Sequence, residues 1–453
     1  MNRAEKRAAS GLAVIFGLRM LGMFLILPVF ALYAEHLPGG QSHTMVGLAL
    51  GMYGLTQAVL MIPFGIASDR IGRKKVIVFG LVVFAVGSFV AAAATDIYWT
   101  IAGRALQGAG AISAAVTALL ADLTREEHRT KAMATIGSTI GVAFALSLVA
   151  GPALNRVIGV PGIFALTGIL ALAAIWVVRA WVPDPADSHF HADAEANPAK
   201  LVDVLKDAQL ARLDFGIFAL HAAQMAMFVV VPVALQNSGL DVSRHWIVYL
   251  SVLLGSFVLM VPAVVYGEKR GQMKPVFVAA VALMLLAQIG LALGISYFWG
   301  IVWALFFYFV AFNLLEASLP SLISKLAPAS AKGTAMGVYN TAQALGLFFG
   351  GVFGGWLAQH YGFGAVFLFC VILMAIWLIA SLSMASPPAI KTRMFRVGAM
   401  ASDQAALLKA QLAGVPGVVE AVVLAEEGVA MLKVRISGWD EAGARSVLEA
   451  AAA

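Results

Sequence analysis

Gly65-Ile66-Ala67-Ser68-Asp69-Arg70-Ile71-Gly72-Arg73-Lys74-Lys75 separates two apolar runs, one from about Met45 to Ala67 and one from about Val76 to Ala94. Each run is long enough to cross the hydrocarbon of a bilayer as a helix. Between them stand two glycines, one carboxylate and four cations, in the spacing G-x-x-x-D-R-x-G-R-K-K. A short cationic turn joining two membrane-length helices reads as the cytoplasmic hairpin of a polytopic membrane protein.

The rest of the chain agrees with that reading. Hydrophobic residues make up 61% of its 453 positions and charged residues 12%, whereas a soluble chain is roughly half apolar and a quarter charged. A net charge of +6 raises the possibility of nucleic acid as a partner. The cations sit in short loops between apolar runs, however, which points to a lipid bilayer instead. Cys370 is the only cysteine, so an intrachain disulfide and a cysteine-based metal site are both excluded. No G-x-x-x-x-G-K-[ST] loop is present, which argues against ATP as the energy source. No nucleophile, base and oxyanion constellation is legible, so an enzyme is not expected. The start, Met1 to Arg7, has the charge of a signal-peptide n-region, but the apolar run Gly11 to Ala34 is too long for an h-region and contains Arg19. It is read as an uncleaved first helix.

Twelve segments have spanning length, at about 11–34, 45–67, 76–94, 98–121, 132–154, 161–182, 213–235, 245–267, 275–295, 298–323, 333–358 and 363–385. One set of alternate loops, with the termini and the long central connection, carries 22 cations, and the opposite loops carry only Arg156 and Arg244. This bias places both termini of a multi-pass protein in the cytoplasm, and the resemblance set out below implies the bacterial inner membrane. The polar connection 183–212 divides the helices into bundles at 1–182 and 213–385. A shift of 199 residues lays Leu60-Met61-Ile62-Pro63 on Leu259-Met260-Val261-Pro262 and Asp69, Arg70 and Gly72 on Glu268, Lys269 and Gly271. A shift of 203 lays Ala132-Met133 on Ala335-Met336, Gly151 on Gly354 and Gly159 on Gly362. Nearly equal offsets in the same direction indicate a parallel duplication.

After Ser386-Pro387-Pro388 the pattern changes to that of a small soluble domain, 394–453, behind a linker at 386–393. A strand is expected over Phe395–Met400 and a helix capped by Ser402-Asp403. Strands over Val418–Leu424 and Val429–Ile436 flank a Glu426-Glu427-Gly428 turn, and Trp439-Asp440 opens a last helix. The order β-α-β-β-α is ferredoxin-like. Heavy-metal-associated domains share this order and the Val415-Pro416-Gly417-Val418 turn, but they use a cysteine pair. Without Cys or His in this segment, metal binding is not expected. Three roles stay open to the appendage: binding a ligand, self-association and regulation of gating.

The 65–75 loop closely resembles the signature between helices 2 and 3 of the major facilitator superfamily, whose two halves are parallel repeats around a midplane site. Arg104-Ala105-Leu106-Gln107-Gly108 resembles that superfamily's R-x-x-Q-G motif, which is linked to proton coupling. The Leu18-Arg19-Met20-Leu21-Gly22-Met23-Phe24 run and the soluble appendage resemble bacterial members of its drug:proton antiporter branch. Helix 5 departs from that branch, with Gly151-Pro152 present but Asn155-Arg156 in place of two glycines. The resemblance implies an all-α membrane fold of two six-helix repeats. It also implies that Asp69 faces the start of helix 11, and that Asp69, Arg73 and Asp122 form a cluster latching the cytoplasmic ends when the cavity opens outward. Gly65 and Gly72 would allow close backbone approach, while Arg70, Lys74 and Lys75 are equally explained as charges holding the loop inside.

Proton coupling needs a titratable group within the membrane. Glu316 shares a helix face with Asn313, and His221 shares one with Gln224. Glu316 is the first choice of proton carrier, since desolvation favours its neutral form, and His221 is the alternative, its bland reading being a packing histidine. Arg104, only a few residues into its helix, has snorkelling to the interface as its bland reading. Arg19 lies deeper. Arg19, Met23, Gln107, Gln224, Asn313 and Tyr339 are the candidate cavity residues, although such side chains also serve as helix packing. The function expected is proton-driven export of small lipophilic or cationic compounds, powered by the proton motive force with no cofactor. The alternatives are symport or uniport of a polar metabolite, and a membrane sensor or assembly protein whose working part is the C-terminal module.

Overall fold

The structure, a computed structural model, describes residues 1–185, 198–270, 272–386, 390–398, 400–425, 428–435 and 438–452. The His189-Phe190-His191 run of the central connection, Gly271, Pro387-Pro388 and Glu426-Glu427 lie outside the described residues, as do the side chains of Glu268 and Lys269.

Among the described residues eleven helices are long and apolar enough to cross a membrane. The first six spans are α1 (Arg3–Ala34), α2 (His43–Ile71), α3 (Arg73–Ala92), α4 (Ile97–Asp122), and α5 and α6, which together form Glu126–Ala180. The second six are α7 (Ala208–Asn237), α8 (His245–Lys269), α9 (Met273–Gly294), α10 (Phe298–Leu326), α11 (Lys332–Tyr361) and α12 (Phe363–Leu382). The run Glu126–Ala180 is of double length and turns at Gly159, φ 66° and ψ 174°, so the spans are twelve. Gly362, its partner in the repeat, turns α11 into α12 with φ 81° and ψ 177°. A side chain is strained in that region of backbone space, and the duplicated glycines are two copies of one turn.

Helix starts follow local capping chemistry. Ser42 caps α2, the Asp96 side chain accepts from Trp99 N at 2.9 Å in α4, and Asp207 accepts from Gln209 N at 2.7 Å in α7. Helix α1 begins at Arg3 rather than at residue 11, because Asn2 and Glu5 form a reciprocal capping box. The Glu5 carboxylate also accepts from Arg125 Nε at 3.0 Å, fixing the start of α5.

The bundles 1–182 and 208–382 meet along α2 with α11 and α5 with α8. In the first half of α2 the contact is backbone on backbone. A Cβ on Gly47 would lie 2.0 Å from the Gly351 carbonyl oxygen, one on Gly54 2.4 Å from that of Ala344, and one on Gly355 2.3 Å from that of His43. Small residues at such crossings bring helices close enough to gain dispersion in the absence of a hydrophobic driving force. His43 N donates to Gln359 Oε1 at 2.7 Å at the same end. The opposite end, carrying the 65–75 turn, is held apart by a cavity.

The appendage has strands β1 (Ile390–Arg396), β2 (Val418–Leu424) and β3 (Val429–Arg435) in the order β1-β3-β2, all neighbours antiparallel. Helices α13 (Ser402–Ala413) and α14 (Glu441–Ala452) cover one face through Leu408, Leu412, Ala444 and Leu448. The first strand thus lies five residues earlier than expected, and Ala401, not Ser402, is the cap of α13. Asp440 caps α14 as its sequence suggested, accepting from Gly443 N at 2.9 Å. β3 is buried on both faces. On the second face Lys433, 5% exposed, donates to the carbonyl of Ala327 at the end of α10 at 2.5 Å and pairs with Glu420 at 2.8 Å.

Candidate functional site

At the 65–75 end, α2 stops because Gly72 adopts φ 104°, and α3 begins at once with Arg73. Arg73 therefore points back over the last turn of α2. Its guanidinium pairs with Asp69, donates to Ser68 Oγ at 3.1 Å and reaches Asp122 Oδ2 at 3.2 Å. Asp122 is fully buried and Arg73 nearly so, whereas the Asp69 side chain is 47% exposed. A carboxylate at a helix C-terminus opposes the dipole, and Arg73 supplies the compensating charge. Nothing lies within 4 Å of a Cβ built on Gly72, and one on Gly65 would meet Ala114 at an ordinary 3.5 Å. Close approach is thus not the reason for either glycine. Gly72 serves the turn, and close approach between the two bundles falls on other glycines, Gly47 and Gly54 of α2 and Gly351 and Gly355 of α11. Arg70 is exposed, and Lys74 donates to the Val182 carbonyl at 2.6 Å while pairing with Asp184 at 2.8 Å.

The cavity beyond this cluster measures about 330 Å³. Met61, Gly65 and Asp69 of α2 with Ser113 and Thr117 of α4 form one wall, and Lys332 to Thr334, Met336 and Asn340 of α11 form the facing one. Asp69 looks across this gap at the first turn of α11, its ion pair among the described residues being the one with Arg73. None of Arg19, Met23, Gln107, Gln224, Asn313 and Tyr339 is on these walls. All but Asn313 are nearly fully buried, and Asn313 Nδ2 donates to Ser256 Oγ of α8 at 2.9 Å. The i, i+4 series on α2 and α4 was the available signal for the walls, but apolar lining positions such as Met61 resemble packing positions.

Two buried polar networks lie deeper, one per bundle. In the second bundle, His221 of α7 and Glu316 of α10 approach to 3.1 Å, side chains the sequence offers only as separate alternatives. The His221 ring donates from Nδ1 to the Ile217 carbonyl at 3.2 Å, leaving Nε2 toward Glu316 Oε1 and, at 2.8 Å, the Gln343 amide of α11. Gln343 was not foreseen. An amide can present either N–H or C=O to its neighbour, so Gln343 suits a neutral imidazole and an imidazolium alike. Tyr339 has a buried hydroxyl with no hydrogen-bond partner among the described residues, within electrostatic reach of Glu316 and Asp214.

In the first bundle, Arg104 is wholly buried rather than snorkelling. It donates to Gln107 Oε1 at 2.8 Å and to the carbonyls of Ala49 and Leu50, while Gln107 donates to Ser88 at 2.8 Å. Arg19, 1% exposed, donates to Ser113 Oγ at 3.2 Å and Gln57 Oε1 at 3.1 Å. Both guanidinium groups lie over the Tyr53 ring, at 5.7 and 5.0 Å. A buried guanidinium needs its donors satisfied, and here neutral side chains and helix carbonyls do so with no carboxylate partner among the described residues. Between the networks, Phe144 of α5 meets Phe312 of α10 at 5.4 Å, and Phe312 packs against His221.

Known proteins show the same pattern. The chain is 44% identical over 435 residues to the inner membrane transport protein YajR of Escherichia coli strain K12, covering 96% of this chain and 95% of that one. It is 25% identical over 344 residues to the multidrug resistance protein MdtH of Yersinia pestis strain Pestoides F, covering 75% and 83%. The solved nucleoside transporter NupG superposes with a TM-score of 0.66 at 14% identity, over 83% of this chain and 99% of that one. Residues 12–351 and 213–409 match the family model described as Major Facilitator Superfamily. With two parallel six-helix bundles around a cavity beside the 65–75 turn, the chain belongs to the major facilitator superfamily, a multi-pass membrane transporter.

Proposed function

We propose that this transporter is a proton-coupled antiporter of the bacterial inner membrane, exporting small lipophilic compounds by alternating access. The observation that carries the reading is the contact at 3.1 Å between the buried His221 and the part-buried Glu316. Two proton inventories satisfy it: a neutral Glu316 donating to Nε2, and an ionised Glu316 accepting from an imidazolium. A carboxyl and an imidazole close enough to share one proton, and able to pass it on when the other side opens, are what coupling requires. Proton entry would supply about 2.3 kcal/mol per charge for each 100 mV of membrane potential.

The cation bias of the loops supports cytoplasmic termini. With the 65–75 end inside, the cavity opens toward the cytoplasm while α2 and α11 seal the outside, so this is the loading form of an exporter. The Asp69–Arg73–Asp122 cluster then faces the start of α11 across the cavity and closes on it when the inner ends come together. Met61, Ile62, Met133 and Met336 give the walls an apolar, adaptable character, and the relative MdtH bears the name of a multidrug resistance protein.

The test is flux in proteoliposomes under an imposed pH gradient. The wild type is expected to acidify the lumen as substrate leaves it, and Glu316→Gln to lose at least about tenfold of the gradient-driven flux. Unchanged pH coupling in Glu316→Gln would remove Glu316 from the role, and co-directional movement of proton and substrate would make the protein a symporter.

A further inference from the structure

We infer that the substrate carries an acidic head group, a carboxylate or comparable oxyanion, which binds Arg19 by taking the place of its cavity-lining acceptor Ser113. This rests on the export reading above and names the substrate class. The first bundle holds two guanidinium groups in its interior, Arg19 and Arg104, and among the described residues neither is ion-paired. The carboxylates at the 65–75 end are engaged by Arg73, and the part-buried Glu316 belongs to the other bundle.

The two arginines are not equivalent. Arg104 turns inward, its donors spent on Gln107 and two helix carbonyls. Arg19 stands behind the cavity wall and is not itself part of the lining. Its acceptor Ser113 lines the wall, and its acceptor Gln57 stands one helical turn beyond the lining residue Met61. Both acceptors are neutral, and among the described residues the buried Arg19 Nε has no acceptor. A planar oxyanion offers two oxygens to that fork and a full charge to a site that lacks one. The methionine-rich walls suit an apolar body, and about 330 Å³ accommodates a compact one. A lipophilic cation, which the sequence alone allows, would instead lie against an uncompensated positive charge at low dielectric. For an anion leaving in exchange for an entering proton, the pH gradient and the membrane potential both drive export.

The experiment uses the full-length protein purified in detergent and three matched probes: naphthalene-acetate, its methyl ester and naphthylmethyl-ammonium. Binding is read by quenching of intrinsic tryptophan fluorescence with no gradient imposed, so it is independent of whether transport is proton-coupled. The acetate is expected to bind at least about tenfold more tightly than either other probe. Arg19→Gln should erase that preference, and Arg19→Lys, which keeps the charge but not the fork, should keep part of it. Equal or weaker binding of the acetate in the wild type overturns the proposal without any variant having to fold. An undiminished preference in a folded Arg19→Gln protein overturns it as well. In proteoliposomes, acetate binding without pH-coupled flux would sink the antiport reading and leave the anion site standing.

Discussion

At Arg73 one guanidinium faces two carboxylates of very different exposure, Asp122 wholly buried and Asp69 half open to the cavity. That difference separates a structural contact from a movable one. Arg73→Ala takes the guanidinium away from a buried carboxylate, which costs about 3–5 kcal/mol. Thermal unfolding in detergent should show a loss of that order. Arg73→Ala with Asp122→Ala should recover much of it, since the desolvated charge is then gone. Asp69→Asn should change stability little but slow transport, because Asp69 is positioned to meet α11 only in the other state. Residue types were legible at these positions from the signature loop, yet exposure was not, since it depends on how far apart α2 and α11 stand at this end.

Helix α2 has two halves with different tasks. Its first half interlocks with α11 through Gly47, Gly51 and Gly54, where an added Cβ would meet facing backbone within 3 Å. Its second half lines the cavity. Gly351→Ala places a methyl 2.5 Å from the Gly47 carbonyl oxygen, and neither backbone can yield without parting the helices. Hydrogen exchange over residues 43–54 and 344–359 should quicken, and transport should fall. Unaltered exchange there would mean that this seam is not what closes the far side. Apolar length and turn residues predicted the helices themselves, because in a bilayer each helix must satisfy its own backbone. The double-length Glu126–Ala180 was read as two segments, correctly for the membrane, since Gly159 reverses the chain. The first strand of the appendage was misplaced because Ile390–Arg396, rich in cations, looks like linker until β3 pairs with it.

Across the molecule, buried charge is unevenly shared. One bundle holds two guanidinium groups on neutral partners, and the other holds a carboxylate against a histidine. Ligand charge and proton charge can then be handled in separate halves that communicate through the Phe144–Phe312 contact and the moving ends. The appendage is tied into this arrangement, because Lys433 grips the last carbonyl of α10 just before α11 begins. Lys433→Ala should loosen that docking, measured as faster tryptic release of the C-terminal fragment with the helical unit intact. An unchanged release rate would show that the domain is held elsewhere. The sequence by itself determined the number of spans, their parallel duplication and the ferredoxin-like order of the appendage. Hydropathy, turn glycines and caps act locally, and the bilayer supplies the rest. Only the tertiary structure decided which buried polar groups meet, His221 with Glu316 and Gln343, and Arg19 with Gln57 and Ser113. Those pairings depend on the rotation and crossing of helices far apart in the chain, which close packing of small residues sets and no local pattern encodes.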